Sequence, residues 1–226
     1  MQGELRLFSS WFEKKQEKGP AAIGSSSIGP TGPRVPRHSG GWTAVRKRLE
    51  TEQGLRVIDV GFTSPANIHY LTELGHSVFL SDLVHDACGT DWKTGVDEEG
   101  NPVWDVNGFL EQSLDFSGRT FDVVLLWTSL DYLPEPFVAP VVARLHGAMN
   151  EGGQVLALFH TRTTGAEAVH CRFHVTPGDE VEVQLAQQFP IQRAFTNRSI
   201  ERLFASWSGH KQFLAKDSVS EVIITR

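Results

Sequence analysis

Cysteine, methionine and tyrosine are scarce in this chain, with two of each among its 226 residues. Cys88 and Cys171 stand far apart and form neither a disulfide framework nor a paired-Cys metal motif. The histidines add no recognisable metal site. A reduced, cytoplasmic setting is the simplest reading. No apolar run is long enough to span a bilayer. The first residues lack the basic start, apolar core and small-residue cleavage site of a secretory leader. Positive charge is also short, with a formal net charge of −6. Residues 1–50 carry 9 Lys/Arg against 4 Asp/Glu, whereas residues 51–226 carry 12 against 23. Such an acidic body is a poor nucleic-acid binder, because phosphate contacts need clustered cations. The basic arm could contact an acidic partner or stand as a solvated tail.

What is present divides the chain in two. Residues 19–41 are rich in Gly, Pro and Ser, a composition that cannot bury enough apolar surface to offset its ordering entropy. Before it, Leu5, Phe8, Trp11 and Phe12 recur at helical spacing. The expected organisation is a flexible arm and linker over 1–38 and a folded body over 39–226. In the body, "LRVIDV", "SVFLSD", "FDVVLLW" and "QVLALFH" read as strands separated by helical segments. This alternation predicts an α/β sandwich with a mostly parallel sheet. "CRFHVT" and "EVEVQLA" flank Pro177-Gly178-Asp179 as a hairpin. "HKQFLAK" and "SEVIITR" close the chain as an antiparallel pair around Asp217-Ser218. Residues 84–108 read as a loop or short helix. A helix over "GWTAVRKRLETEQG" should end at Gly54, and another, "NRSIERLFASW", should be capped by Asn197.

Ligands of a doubly wound sheet bind beyond the carboxyl ends of its strands, where strand order reverses. Those ends gather Asp59 to Gly61, Asp82, Trp127 to Asp131, and His160 to Thr161. Gly61 follows the first strand, and Asp82 ends the second, where an acid commonly binds ribose hydroxyls. The other glycines of a dinucleotide loop are missing: Phe62, Thr63, Ser64 and Pro65 stand there instead. Phe62 and Pro65 would crowd a pyrophosphate, and Pro65 has no N–H to give. NAD and FAD are therefore disfavoured, and a cofactor with a ribose and no phosphates remains allowed.

From about Gly54 to Arg226 the sequence resembles the class I S-adenosylmethionine-dependent methyltransferases. The resemblance rests on "VIDVGFTSPAN", "VFLSDL", "FDVVLLWTSLDYLPEP", "GAMNEGGQVLALFHT" and the closing hairpin. The "GFTSPANI" variant also resembles a bacterial subgroup of methyltransferase-domain proteins. It implies a Rossmann-like, seven-stranded sheet with an antiparallel last strand and S-adenosyl-L-methionine as cofactor. By the same resemblance Asp59 braces the loop, Gly61 faces the cofactor and Asp82 holds the ribose. Thr63, Ser64 and the helix-start amides of Ala66 and Asn67 replace the missing glycines as donors to the cofactor's amino-acid end. Leu114 or Asp115 lies near the adenine, and Trp127 and Asp131 near the methyl group. Asp131 and His160 are the candidate catalytic residues. No clear acid follows a third strand, since "FLEQSLDF" matches weakly.

Each of these residues has a plainer reading: Asp59 as a satisfied strand acid, Asp131 as a turn cap, Trp127 as core, His160 as a hydrogen-bonded rim histidine. Two functions compete on this evidence. One is methyl transfer to an unidentified small molecule or protein, which needs mostly alignment because the sulfonium already activates the methyl. The other is a non-catalytic fold relative that binds a nucleoside or a partner. A nicotinamide oxidoreductase is weakened by the phosphate argument.

Overall fold

Six strands, in the order β10-β11-β7-β6-β2-β3, form the central sheet. The computed structural model describes residues 32–163, 170–186, 189–213 and 217–226. The strands are β2 (Arg56–Val60), β3 (Ser77–Ser81), β6 (Phe121–Trp127), β7 (Met149–His160), β10 (Gly209–Phe213) and β11 (Val219–Thr225). β3, β2, β6 and β7 run parallel, and β11 is antiparallel to both β7 and β10. The doubly wound α/β reading and the antiparallel close therefore hold. The strand count does not: the described sheet has six strands where seven were expected. The weakly matching segment "FLEQSLDF" contributes its first residues to helix α4 (Val106–Ser113). Asp105 caps that helix, accepting a hydrogen bond from Gly108 N at 2.9 Å.

Each face of the sheet carries an apolar layer. On one face Ile58, Val60, Val124, Leu126, Val155 and Phe159 belong to the cluster around Phe137, Val141 and Leu145 of α5 (Glu135–Ala148). Val57, Val123, Leu125, Leu156 and Ile223 belong to the other cluster, with Trp42, Val45 and Leu49 of α1 (Gly40–Thr51) and Leu71 of α2 (Pro65–Glu73). Apolar residues on both faces explain why the strands read as continuous hydrophobic runs rather than alternating ones.

A second sheet completes that layer. β1 (Val35–His38), β9 (Glu180–Leu185) and β8 (Cys171–Val175) pair antiparallel in the order β1-β9-β8. Phe173, Val175, Val181 and Val183 join the cluster around Trp42. The β8–β9 hairpin was legible in the sequence; its partner β1 was not. The folded body reaches back at least to Val35, inside the segment assigned to the arm. The physical reason is Arg37, whose guanidinium pairs with Asp217 at 2.6 Å and with the buried Glu221. Glu221 also accepts from Ser39 Oγ at 3.0 Å and Gly41 N at 2.7 Å. Leu5, Phe8, Trp11 and Phe12 lie outside the described residues.

Several local boundaries also shift. α1 ends at Thr51, short of Gly54. Residues 84–108 hold more order than expected: most of α3 (Leu83–Gly89), the hairpin of β4 (Lys93–Val96) and β5 (Pro102–Trp104), and the start of α4. The last helix, α6 (Asn197–Leu203), is capped by Thr196 rather than Asn197, in a reciprocal capping box with Ser199.

Removing one partner of a buried ion pair leaves an uncompensated charge, which costs about 3–5 kcal/mol. Arg37→Ala is therefore expected to lower unfolding free energy by about that amount in a urea titration. A loss below about 1 kcal/mol would mean that β1 contributes little to the body.

Candidate functional site

The strand order reverses between β2 and β6, so the crevice at the carboxyl ends of these strands is where a ligand belongs. Its floor is built from an internal brace. Asp59, at the end of β2, is 4% exposed. Its Oδ1 accepts from Trp127 Nε1 at 2.7 Å, and its Oδ2 from Asn67 Nδ2 at 2.8 Å. Burial pushes the Asp59 carboxyl up to about 6, against the two hydrogen bonds that favour its ionised form. Asn67 spans the gap to the second sheet: its amide also donates to Phe173 O at 3.0 Å, and its Oδ1 accepts from Val175 N at 2.8 Å.

Ser64 caps α2 as expected, accepting from Asn67 N at 3.3 Å, with Pro65 at the first helical position. The same hydroxyl bonds His174 Nδ1 at 2.8 Å, and Ser64 is fully buried. The side chains of Asp59, Ser64 and Asn67 are thus committed to packing the second sheet on the first. Thr63 and Pro65 are exposed.

Trp127 is nearly fully buried. It ends β6 at an irregularity in the pairing with β7 and has φ of 50°. This left-handed backbone is costly for a bulky residue. The turn sends the indole under the loop, to Asp59 and into a parallel stack on Phe173, with centroids 4.9 Å apart and planes 3° apart. A Cβ on Gly61 would sit 3.3 Å from Trp127 Cδ1. The glycine there serves this close approach of the indole.

Asp82 remains at the rim. It ends the β3 segment and caps α3, its Oδ1 accepting from His85 N at 3.1 Å. Its Oδ2 has no hydrogen bond to the described residues, and partial burial raises its pKa. The end of α4 is drawn beside it by the Ser81 hydroxyl, which donates to Ser113 O at 2.8 Å. Leu114 follows, fully buried, and Asp115 is exposed, accepting from Ser117 N at 2.8 Å.

The remaining rim is polar and buried. Asp131 lies in the 3₁₀ turn Ser129–Tyr132 and has no exposed surface. Its Oδ2 accepts from His160 N at 2.7 Å and from His160 Nδ1 at 2.6 Å. That pairing fixes the orientation of the His160 ring. Burial raises Asp131 above the usual carboxylate range, against the pull of His160. Beside the pair stand Tyr132 and His170, ring centroids 5.0 Å apart. Burial, and then the charge of His160, lower His170 to about 4.

One rim residue escaped sequence reasoning. Arg172 of β8 lays its guanidinium 4.3 Å over the Phe62 ring, which brings the second sheet to the loop. The alternation of "CRFHV" already separates Arg172 and His174 from Cys171, Phe173 and Val175, and that pair of basic residues was the available signal.

No family model matches the chain, and no curated protein matches it. Solved structures do resemble it. One is TehB from Haemophilus influenzae, 14% identical with a TM-score of 0.47, covering 97% of this chain and 67% of that one. Another is an S-adenosylmethionine-dependent methyltransferase from Mesorhizobium loti, 10% identical with a TM-score of 0.43, covering 83% and 98%. A third is 1,6-didemethyltoxoflavin-N1-methyltransferase from Burkholderia thailandensis, bound to 1,6-didemethyltoxoflavin and S-adenosylhomocysteine. It is 14% identical with a TM-score of 0.43, covering 82% and 77%.

Because Asp59 binds its proton more tightly folded than unfolded, its ionisation opposes folding. Its contribution should fall as pH rises from about 4 to about 6. The stability difference between wild type and Asp59→Asn, read by denaturant titration across that window, should shift against the wild type with rising pH. A flat difference would mean that the two hydrogen bonds fully offset burial.

Proposed function

We propose that this chain binds S-adenosyl-L-methionine in the crevice between β2 and β6 and transfers its methyl group to a small-molecule or protein acceptor. The observation that carries the reading is Asp82. A carboxylate at the end of the strand beside the switch point, with one oxygen used by a helix cap and the other without a hydrogen bond among the described residues, suits a pair of ribose hydroxyls. The residues present fit such a cofactor and suit a pyrophosphate poorly. Phe62 and Pro65 occupy the loop, whereas a ribose needs only the acid.

The cofactor would supply an activated methyl on its sulfonium. The protein's part is then to hold the cofactor and acceptor in line and keep water out. Asp82 would hold the ribose, and Thr63 and the first amides of α2 would lie along the amino-acid end. Asp59, Gly61, Ser64, Asn67 and Trp127 act one step removed, by fixing the loop that makes the floor. His160, with its ring oriented by Asp131, would take a proton from a hydroxyl or amine acceptor.

The second reading, a non-catalytic nucleoside or partner binder, is favoured by one observation: the side chains of Ser64 and Asn67, two residues expected at the cofactor's amino-acid end, turn inward. Calorimetry with S-adenosylhomocysteine separates the two in part. Wild type should bind. Asp82→Asn keeps a good helix cap but loses the charged acceptor, worth about 1.5–3 kcal/mol, or roughly ten- to hundredfold in affinity. No binding at millimolar ligand would sink the cofactor assignment. Unchanged binding by Asp82→Asn would sink the ribose role alone.

A further inference from the structure

We infer that Arg172, carried by the second sheet, is the anchor for the carboxylate of the cofactor's amino-acid end, doing the work that glycine-loop amides would otherwise do. The inference rests on the reading of the crevice as an S-adenosylmethionine site.

Three observations converge on it. Arg172 sits over Phe62, in the loop directly after β2, and lies near enough to the rim residue Asp82 for the two charges to interact. Among the described residues no carboxylate lies within salt-bridge distance of it, although Arg34, Arg37, Arg46, Arg48 and Arg193 all have one. Its Nε is buried without a hydrogen-bond partner. A guanidinium that is partly desolvated and unpaired is an unfavourable arrangement unless a ligand completes it. Burial and the nearby charge of Arg34 weigh against the cation, while Asp82 is its nearest electrostatic support.

The loop explains why such an anchor is needed. Pro65 contributes no amide, the Ser64 hydroxyl is spent on His174, and Asn67 N is taken by the cap. The anion-binding capacity of the α2 N-terminus is thereby reduced. A planar fork of donors restores it and can hold a carboxylate bidentately. Stacking on Phe62 fixes the plane of that fork. Asp82 and Arg172 would then orient the cofactor by charge: ribose hydroxyls toward the acid, carboxylate toward the cation. The sulfonium, which links the ribose to the amino-acid chain, would then lie between Asp82 and Arg172.

The test compares two ligands that differ in the amino-acid end. S-adenosylhomocysteine carries the carboxylate; 5′-methylthioadenosine keeps the nucleoside and thioether and lacks it. Both are titrated by calorimetry into the full chain as wild type, Arg172→Gln and Arg172→Lys, with thermal midpoints as folding controls. Arg172→Gln should weaken S-adenosylhomocysteine at least tenfold and leave 5′-methylthioadenosine within twofold, and Arg172→Lys should recover part of the loss. Equal losses for both ligands, or none for either, would overturn the anchor while leaving the cofactor site standing. Wild type that binds neither ligand removes the site and the anchor together. Should Arg172→Gln not fold, the wild-type pair decides: 5′-methylthioadenosine binding as tightly as S-adenosylhomocysteine overturns the assignment.

Discussion

The bonds between Asp59, Asn67 and Trp127 hold this molecule's working end together. They join four elements that have no other reason to meet at one point: the end of β2, the first turn of α2, the end of β6 and, through Phe173 O and Val175 N, the second sheet. Each group in the set is buried, so each would be costly to leave unpaired. The set is complete, and completeness is what makes a buried polar network specify one arrangement rather than several. The backbone strain at Trp127 is part of the same device, since an unstrained residue there would point its side chain away from Asp59.

This constraint separates two jobs that a glycine-rich loop performs at once. In such a loop the backbone both makes the turn and offers its amides to the ligand. Here the turn is held from below by side chains, and polar groups reach the rim from elsewhere: Asp82 from the end of β3, Arg172 from β8, His160 from the end of β7. A loop poor in glycine is stiffer, because Pro65, Thr63 and Phe62 allow fewer backbone states than glycine. A pre-shaped floor reduces what a ligand must spend on ordering it.

Much of the fold was legible because burial leaves a plain trace. "FDVVLLW" and "QVLALFH" could only be strands covered on both sides, and Ser64-Pro65 marks a helix start in any context. The missed elements are those whose evidence is long-range. β1 has the sequence "VPRH", which contains a proline and alternates weakly; it becomes a strand because β9 offers an edge and Arg37 finds Glu221 far along the chain. At the site, Asp82 could be placed because strand ends are local features. The inward turn of Ser64 and Asn67 could not, since their partners lie more than a hundred residues away on β8. Trp127 went to the core for the same reason: Phe173, the ring it stacks on, is invisible from its neighbours in sequence.

The second sheet also sets the two ends of the described chain against each other. Gly32 is held by Gln184, the residue paired with Arg172. Arg226 exchanges backbone bonds with Gly152 and Gly153, at the start of β7 and the opposite rim. A label carried on the Arg226 side chain therefore reports on the amino-terminal edge of β7, most of a strand away from His160.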